Sequence, residues 1–128
     1  MRYIMFMIPA VYASDAEEAM PSAEMVEKMM AYNAALAEAG VLVSLDGLHP
    51  PASAARLEFR EAGPRQIETQ QQGAVGGYWV LTVDSHEAAV EWARRVPAAP
   101  GDIIEVRRIQ EMTDFPDDVQ DVVKKFDI

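Results

Sequence analysis

The chain has 128 residues, with 11 Lys+Arg against 21 Asp+Glu and no Cys. That length is enough for one core, which can remove roughly two-thirds of the unfolded surface from water without staples. A net charge of −10 repels phosphate backbones and anionic lipid, so neither a nucleic acid nor a membrane is an expected partner. Without Cys there is no disulfide, no thiolate nucleophile and no Cys-based metal site, which fits a reducing, cytoplasmic setting.

The opening segment Arg2 to Ile8 is a short apolar run stopped by Pro9, the pattern of a strand. The apolar stretch Tyr3 to Val11 is about half the length of a membrane span and lacks the pattern of a cleaved signal. Tyr3, Met5 and Met7 point to one side of this strand and Ile4, Phe6 and Ile8 to the other, so both sides need cover. Residues 14–20 are polar and acidic and read as a loop or a short helical turn. Pro21 and Ser22 then open a helix, with Glu24 and Glu27 at its positive end. Met25, Met29, Tyr32 and Leu36 form its apolar stripe, and Gly40 stops it.

Val41 to Leu45 is a second, short strand, broken by the Asp46-Gly47-Leu48-His49-Pro50-Pro51 segment. Residues 54–60 alternate, with Leu57 and Phe59 expected to face inward. After the turn at Ala62-Gly63-Pro64, residues 65–72 read as one side of a hairpin or as a surface loop. Gly73, Gly76 and Gly77 precede the strand Tyr78 to Val83, again apolar on both sides. Asp84 or Ser85 caps the next helix, whose inward side is Ala89, Trp92, Ala93 and Val96. Ile103 to Ile109 is the last strand. A tail helix follows from about Pro116, striped with Phe115, Val119, Val122 and Phe126.

This order predicts an α+β fold, a split βαβ arrangement with an antiparallel sheet and both main helices on one side of it. Residues 1–112 make the domain and residues 113–128 a helical tail. Two helices hide only one face of a sheet, yet the strands at 3–8 and 78–83 carry large side chains on both. We expect the face bearing Tyr3, Met5 and Met7 to be left open. A patch of that kind exceeds what monomers tolerate and represents several kcal/mol at roughly 25 cal/mol per Å². A homodimer packed sheet to sheet about a two-fold axis is the simplest remedy. The tail stripe offers competing cover, or a clasp on the partner.

Several segments resemble the YCII-related proteins, and more specifically their DGPF branch of small bacterial proteins. They are Gly40-Val41-Leu42-Val43 with Gly47-Leu48-His49-Pro50-Pro51, then Gly76-Gly77-Tyr78-Trp79, then Glu87 to Pro97, then Ile104 to Arg107 with Glu111-Met112 and Asp114-Phe115. The resemblance implies a ferredoxin-like fold that dimerises as an α+β barrel. The family is mostly uncharacterised. A few members are enzymes, one removing chloride from a chlorinated hydroquinone, with a His–Asp pair proposed as the active site. Genes of the DGPF branch often neighbour those of sigma factors. Two departures stand out: the Asp-Gly-Pro-Phe sequence is absent around Arg65-Gln66-Ile67-Glu68, and the first helix carries no His.

Of the two histidines, His49 sits on a stiff loop at a strand end, where Asp46 or Asp84 could orient it as a general base. A rim histidine that caps a turn explains the same position, as helix capping explains Asp84. His86, in a first helical turn, reads as solvated. Glu91 reads as exposed or as an ion-pair partner of Arg107 or Arg108. Tyr3, Met5, Tyr78 and Trp79 are the candidates to line a ligand cleft at the dimer interface, although aromatic strand residues also serve packing. The methionines read as adaptable core filling. The glycine spacing is not that of a dinucleotide site, and two His without Cys make a transition-metal site unexpected. No cofactor is expected. The sequence therefore supports a dimer that holds a small molecule. The alternative is a cofactor-free enzyme, lyase-, dehydrochlorinase- or isomerase-like, acting on an aromatic or carbonyl compound.

Overall fold

The computed structural model describes residues 1–13 and 21–126, so the loop or turn expected over 14–20 lies outside the described residues. Strands β1 (Arg2–Ile8), β2 (Leu42–Gly47), β5 (Gly77–Thr82) and β6 (Ile103–Arg108) form one sheet in the order β2-β5-β1-β6. Strands β3 (Arg56–Arg60) and β4 (Gly63–Ile67) pair only with each other. Helix α1 (Ala23–Glu38) joins β1 to β2, α2 (His86–Arg94) joins β5 to β6, and α3 (Asp117–Lys124) follows β6. Every pairing in the main sheet is antiparallel. Because β5 lies between β1 and β2, each βαβ unit is split by a strand of the other, the ferredoxin-like arrangement.

Local chemistry accounts for the helix boundaries. The Ser22 hydroxyl accepts from the Met25 amide at 3.2 Å, and Gly40 takes φ of 74° just past the last turn of α1. For α2 the cap is Ser85, whose hydroxyl accepts from the Ala88 amide at 3.1 Å; Asp84 stands outside it and exposed. The expected inward side of α2 holds, with Ala89 and Val96 buried and Trp92 and Ala93 packed against the core.

One expectation about the sheet is reversed. Tyr3, Met5, Trp79, Leu81 and Val83 are buried beneath the helices with Tyr32 and Leu36. The open face instead carries Ile4, Phe6, Ile8, Tyr78 and Val80, each half-buried. The strand register gives the reason. Met5 stands opposite Val106 and Met7 opposite Ile104, whereas Ile4 stands opposite Arg107 and Phe6 opposite Glu105. Over Ile104 to Arg107 the edge strand β6 alternates between apolar and charged, and hydrogen bonding imposes that polarity on the middle of β1. Strand β2 agrees: Leu42 and Leu45 meet Leu81 and Trp79, and the register shift between them leaves Val43 as an exposed bulge.

A polar and aromatic knot fixes the helices to that face. The Trp79 indole N–H donates to the Asn33 side-chain oxygen at 2.8 Å, and the Tyr32 hydroxyl donates to the Trp92 carbonyl at 2.7 Å. The Tyr32 ring meets Trp79 and Trp92 edge-on, at 5.8 and 6.3 Å between centroids. Arg95 lies over the Trp92 ring at 4.1 Å. Among the described residues no buried side-chain polar atom is left without a partner. Met25, at the solvent end of the α1 stripe, is exposed, so the stripe packs from Met29 onward.

Two other apolar stripes find no core. Leu57 and Phe59, expected to face inward, are 59% and 78% exposed. They share one side of the β3–β4 ribbon with Pro64 and Gln66, and that ribbon does not join the main sheet. No residue of α3 is buried, and Val119, Val122 and Phe126 remain exposed. The segment leading into α3 is tethered by charge: Arg2 donates to both carboxylate oxygens of Glu111, and Arg108 pairs with Asp114 at 3.7 Å. Glu91 is exposed and pairs with neither Arg107 nor Arg108. No helix among the described residues is long and apolar enough to cross a membrane.

Urea unfolding separates core from ribbon. Leu36→Ala, at a fully buried position, is expected to cost about 2–5 kcal/mol. Phe59→Ala is expected to stay within roughly 0.5 kcal/mol of the parent. A second expectation concerns alkali. Burial holds the Tyr32 phenol protonated, pushing its pKa from 10.0 to about 12. The unfolded chain releases this proton at lower pH than the folded one, so stability falls as pH rises from about 10 to about 12 and levels off beyond. Tyr32→Phe removes that component of the slope, as read by denaturant unfolding across this range.

Candidate functional site

The candidate residues divide between three places. Tyr3, Met5 and Trp79, expected to line a cleft, are core residues under the helices; Tyr78 alone of the four faces the open side. Alternation explains the split between neighbours, since Tyr78 and Trp79 necessarily point to opposite faces. Tyr78 stands opposite Phe6 on one side and Asp46 on the other. Its hydroxyl lies 3.3 Å from the Asp46 carboxylate, to which it donates. The open face thus consists of an aliphatic and aromatic strip with one phenol–carboxylate pair at its margin.

His49 lies beyond the end of β2 and is exposed. No carboxylate stands within ion-pair distance of its ring among the described residues. Asp46 is engaged by Tyr78, and Asp84 lies past the far end of β5, roughly 20 Å from Tyr78 at the rise of an extended strand. The three groups considered for acid–base work are therefore not assembled. Nor do three or more His, Asp or Glu side chains gather as a metal site among the described residues. His86, the other histidine, is exposed and leans against the Tyr3 ring at 5.9 Å.

His49 does line a hollow. A groove of about 530 Å³ opens between segment 48–56, leading into β3, and segment 69–75, leading out of β4. It sits at the root of the ribbon and is framed by restrained backbone. Leu48 donates its amide to the Gly76 carbonyl at 2.9 Å, tying the two segments together. Pro51 is buried, and the Ser53 hydroxyl donates to the Pro50 carbonyl at 3.1 Å, closing a short 3₁₀ turn. Arg56 donates to the Gln70 side-chain oxygen across the groove at 3.3 Å.

The adjoining glycines make this corner possible. A Cβ on Gly76 would come within 2.7 Å of the Pro9 side chain, and one on Gly77 within 3.0 Å of the Asp46 carbonyl oxygen. A side chain on Gly77 would push β2, and Asp46 with it, away from β5, and one on Gly76 would press on the segment after β1. By sequence these glycines stand only ahead of a strand, and Arg56 and Gln70 are not singled out as a pair. Their spacing across a hairpin, with the arginine at its first strand position, was the available signal.

No curated protein matches the chain. Residues 1–113 match the YCII-related domain, a span that takes in the whole main sheet, α1, α2, the ribbon and the groove. The chain belongs to the YCII-related family.

Proposed function

We propose that this YCII-related protein works as a cytoplasmic homodimer whose two sheets face each other and hold a small apolar or aromatic molecule between them. The observation that carries this reading is the open face, where Ile4, Phe6, Ile8, Tyr78 and Val80 are only half-buried and lie outside the core that α1 and α2 cover. At roughly 25 cal/mol per Å², drying such a strip on two protomers is worth several kcal/mol, enough to offset part of the cost of association. Charged and polar neighbours frame it: Glu105 and Arg107 lie beside Phe6 and Ile4, and Asp46 beside Tyr78. That is the anatomy of an interface, apolar at the centre and polar at the rim. The Tyr78–Asp46 pair supplies the one directional group with which a cleft ligand could be oriented.

The enzymatic alternative requires a carboxylate against the His49 ring, and none stands there among the described residues. The binding reading needs no such assembly.

Sedimentation velocity is expected to give twice 14.2 kDa at micromolar concentration, and native mass spectrometry to retain additional mass from a bound molecule. Phe6→Glu places a carboxylate at the centre of the strip, beside Glu105. It is expected to weaken association by roughly a hundredfold or more, because the charge cannot be dried. Circular dichroism of the variant should match the parent, since Phe6 lies outside the core. A folded monomer of the unsubstituted chain at those concentrations overturns the dimer.

A further inference from the structure

We propose that the groove at the root of the β3–β4 ribbon is a binding site for a small monocarboxylate with a compact apolar body. It is separate from the cleft between sheets: its walls come from the loops at one end of β2 and β5, not from the open face. A volume of about 530 Å³ is the size of a site for a small organic molecule.

The chemistry of the lining selects the ligand. The chain carries 21 Asp+Glu, yet no acidic residue lines this groove. Arg56 does, and it has no carboxylate partner among the described residues. Its recorded hydrogen bond is to the neutral Gln70 amide oxygen, which holds the guanidinium across the groove without neutralising it. A guanidinium has five N–H donors in a planar fork, so one bond to Gln70 leaves donors for a carboxylate. His49 and the amide of Gln72 add further polar groups, and Leu48, Pro51 and Val75 supply apolar wall.

The molecule's overall charge does not cancel this local preference. Exposed charges are screened beyond about 8 Å at physiological salt, so distant carboxylates act weakly on a bound anion, whereas Arg56 would act at contact. A single cation in an acidic molecule favours a monoanion over a phosphate or dicarboxylate. The backbone ties at Leu48–Gly76 and Ser53–Pro50 hold the groove open in the free chain, which lowers the ordering cost of binding.

The test is a titration of the full chain, labelled with ¹⁵N, with benzoate as probe and benzamide as its neutral counterpart. Saturable shifts are expected at the backbone amides of 48–56 and 69–75. Benzamide is expected to bind about tenfold more weakly, and Arg56→Gln to lose about tenfold in benzoate affinity, the worth of one charge-assisted contact. The exposed Arg56 is outside the core, so the remaining spectrum of the variant should be unchanged. Shifts confined to Ile4, Phe6, Tyr78 and Val80 would support the inter-sheet cleft and overturn the groove. Equal affinity for benzoate and benzamide, or indifference to Arg56→Gln, would overturn it as well.

Discussion

A sheet that is greasy on both sides cannot be dried by two helices, and the decision about which side they take organises this molecule. The knot of Tyr32, Asn33, Trp79 and Trp92 enforces the outcome. Trp79 is buried, and its indole N–H finds Asn33 on α1. With the sheet turned over, Trp79 would leave the helices and the buried Asn33 side-chain oxygen would lose its donor; an unpaired buried polar group costs about 1–3 kcal/mol. Tyr32 ties the same helix to α2 through the Trp92 carbonyl. Two aromatic pairs and two hydrogen bonds thus join α1, α2 and β5, and leave Ile4, Phe6 and Tyr78 outside.

Much of this was legible in the order of residues. The strand–helix order, a cap at Asp84 or Ser85, the stop at Gly40 and the inward side of α2 all follow from short-range rules that act within a few residues. The choice of sheet face does not, because β1 and β5 read the same on both sides. It could have been taken from Ile104 to Arg107, where apolar and charged residues alternate, once β6 was paired to β1. Pairing is a long-range fact, and a single strand does not announce its neighbour.

The ribbon teaches a related lesson. Leu57 and Phe59 alternate with Arg56, Glu58 and Arg60 as a half-buried strand would, and they do form a strand. Alternation says that a strand has an apolar side; it does not say that a core lies behind it. The candidate acid–base group was undone in the same way. Asp46, His49 and Asp84 cluster around strand ends in sequence, but β2 and β5 run antiparallel, so the end of β2 meets the beginning of β5 and not its end. Asp46 met Tyr78 instead, a contact visible only once the register was known.

The bulge at Val43 has a bearing on how copies of this molecule can meet. The four-stranded sheet has two rims, and rims with regular, unpaired amides invite a foreign strand to extend the ladder. On β2 the slipped register interrupts the regular spacing of amides near the start of the strand. On β6 the arginines and glutamate stud the opposite rim. Lateral growth from molecule to molecule, the route to fibres, is therefore discouraged on both flanks, which leaves the broad side of the sheet as the less guarded surface for self-association.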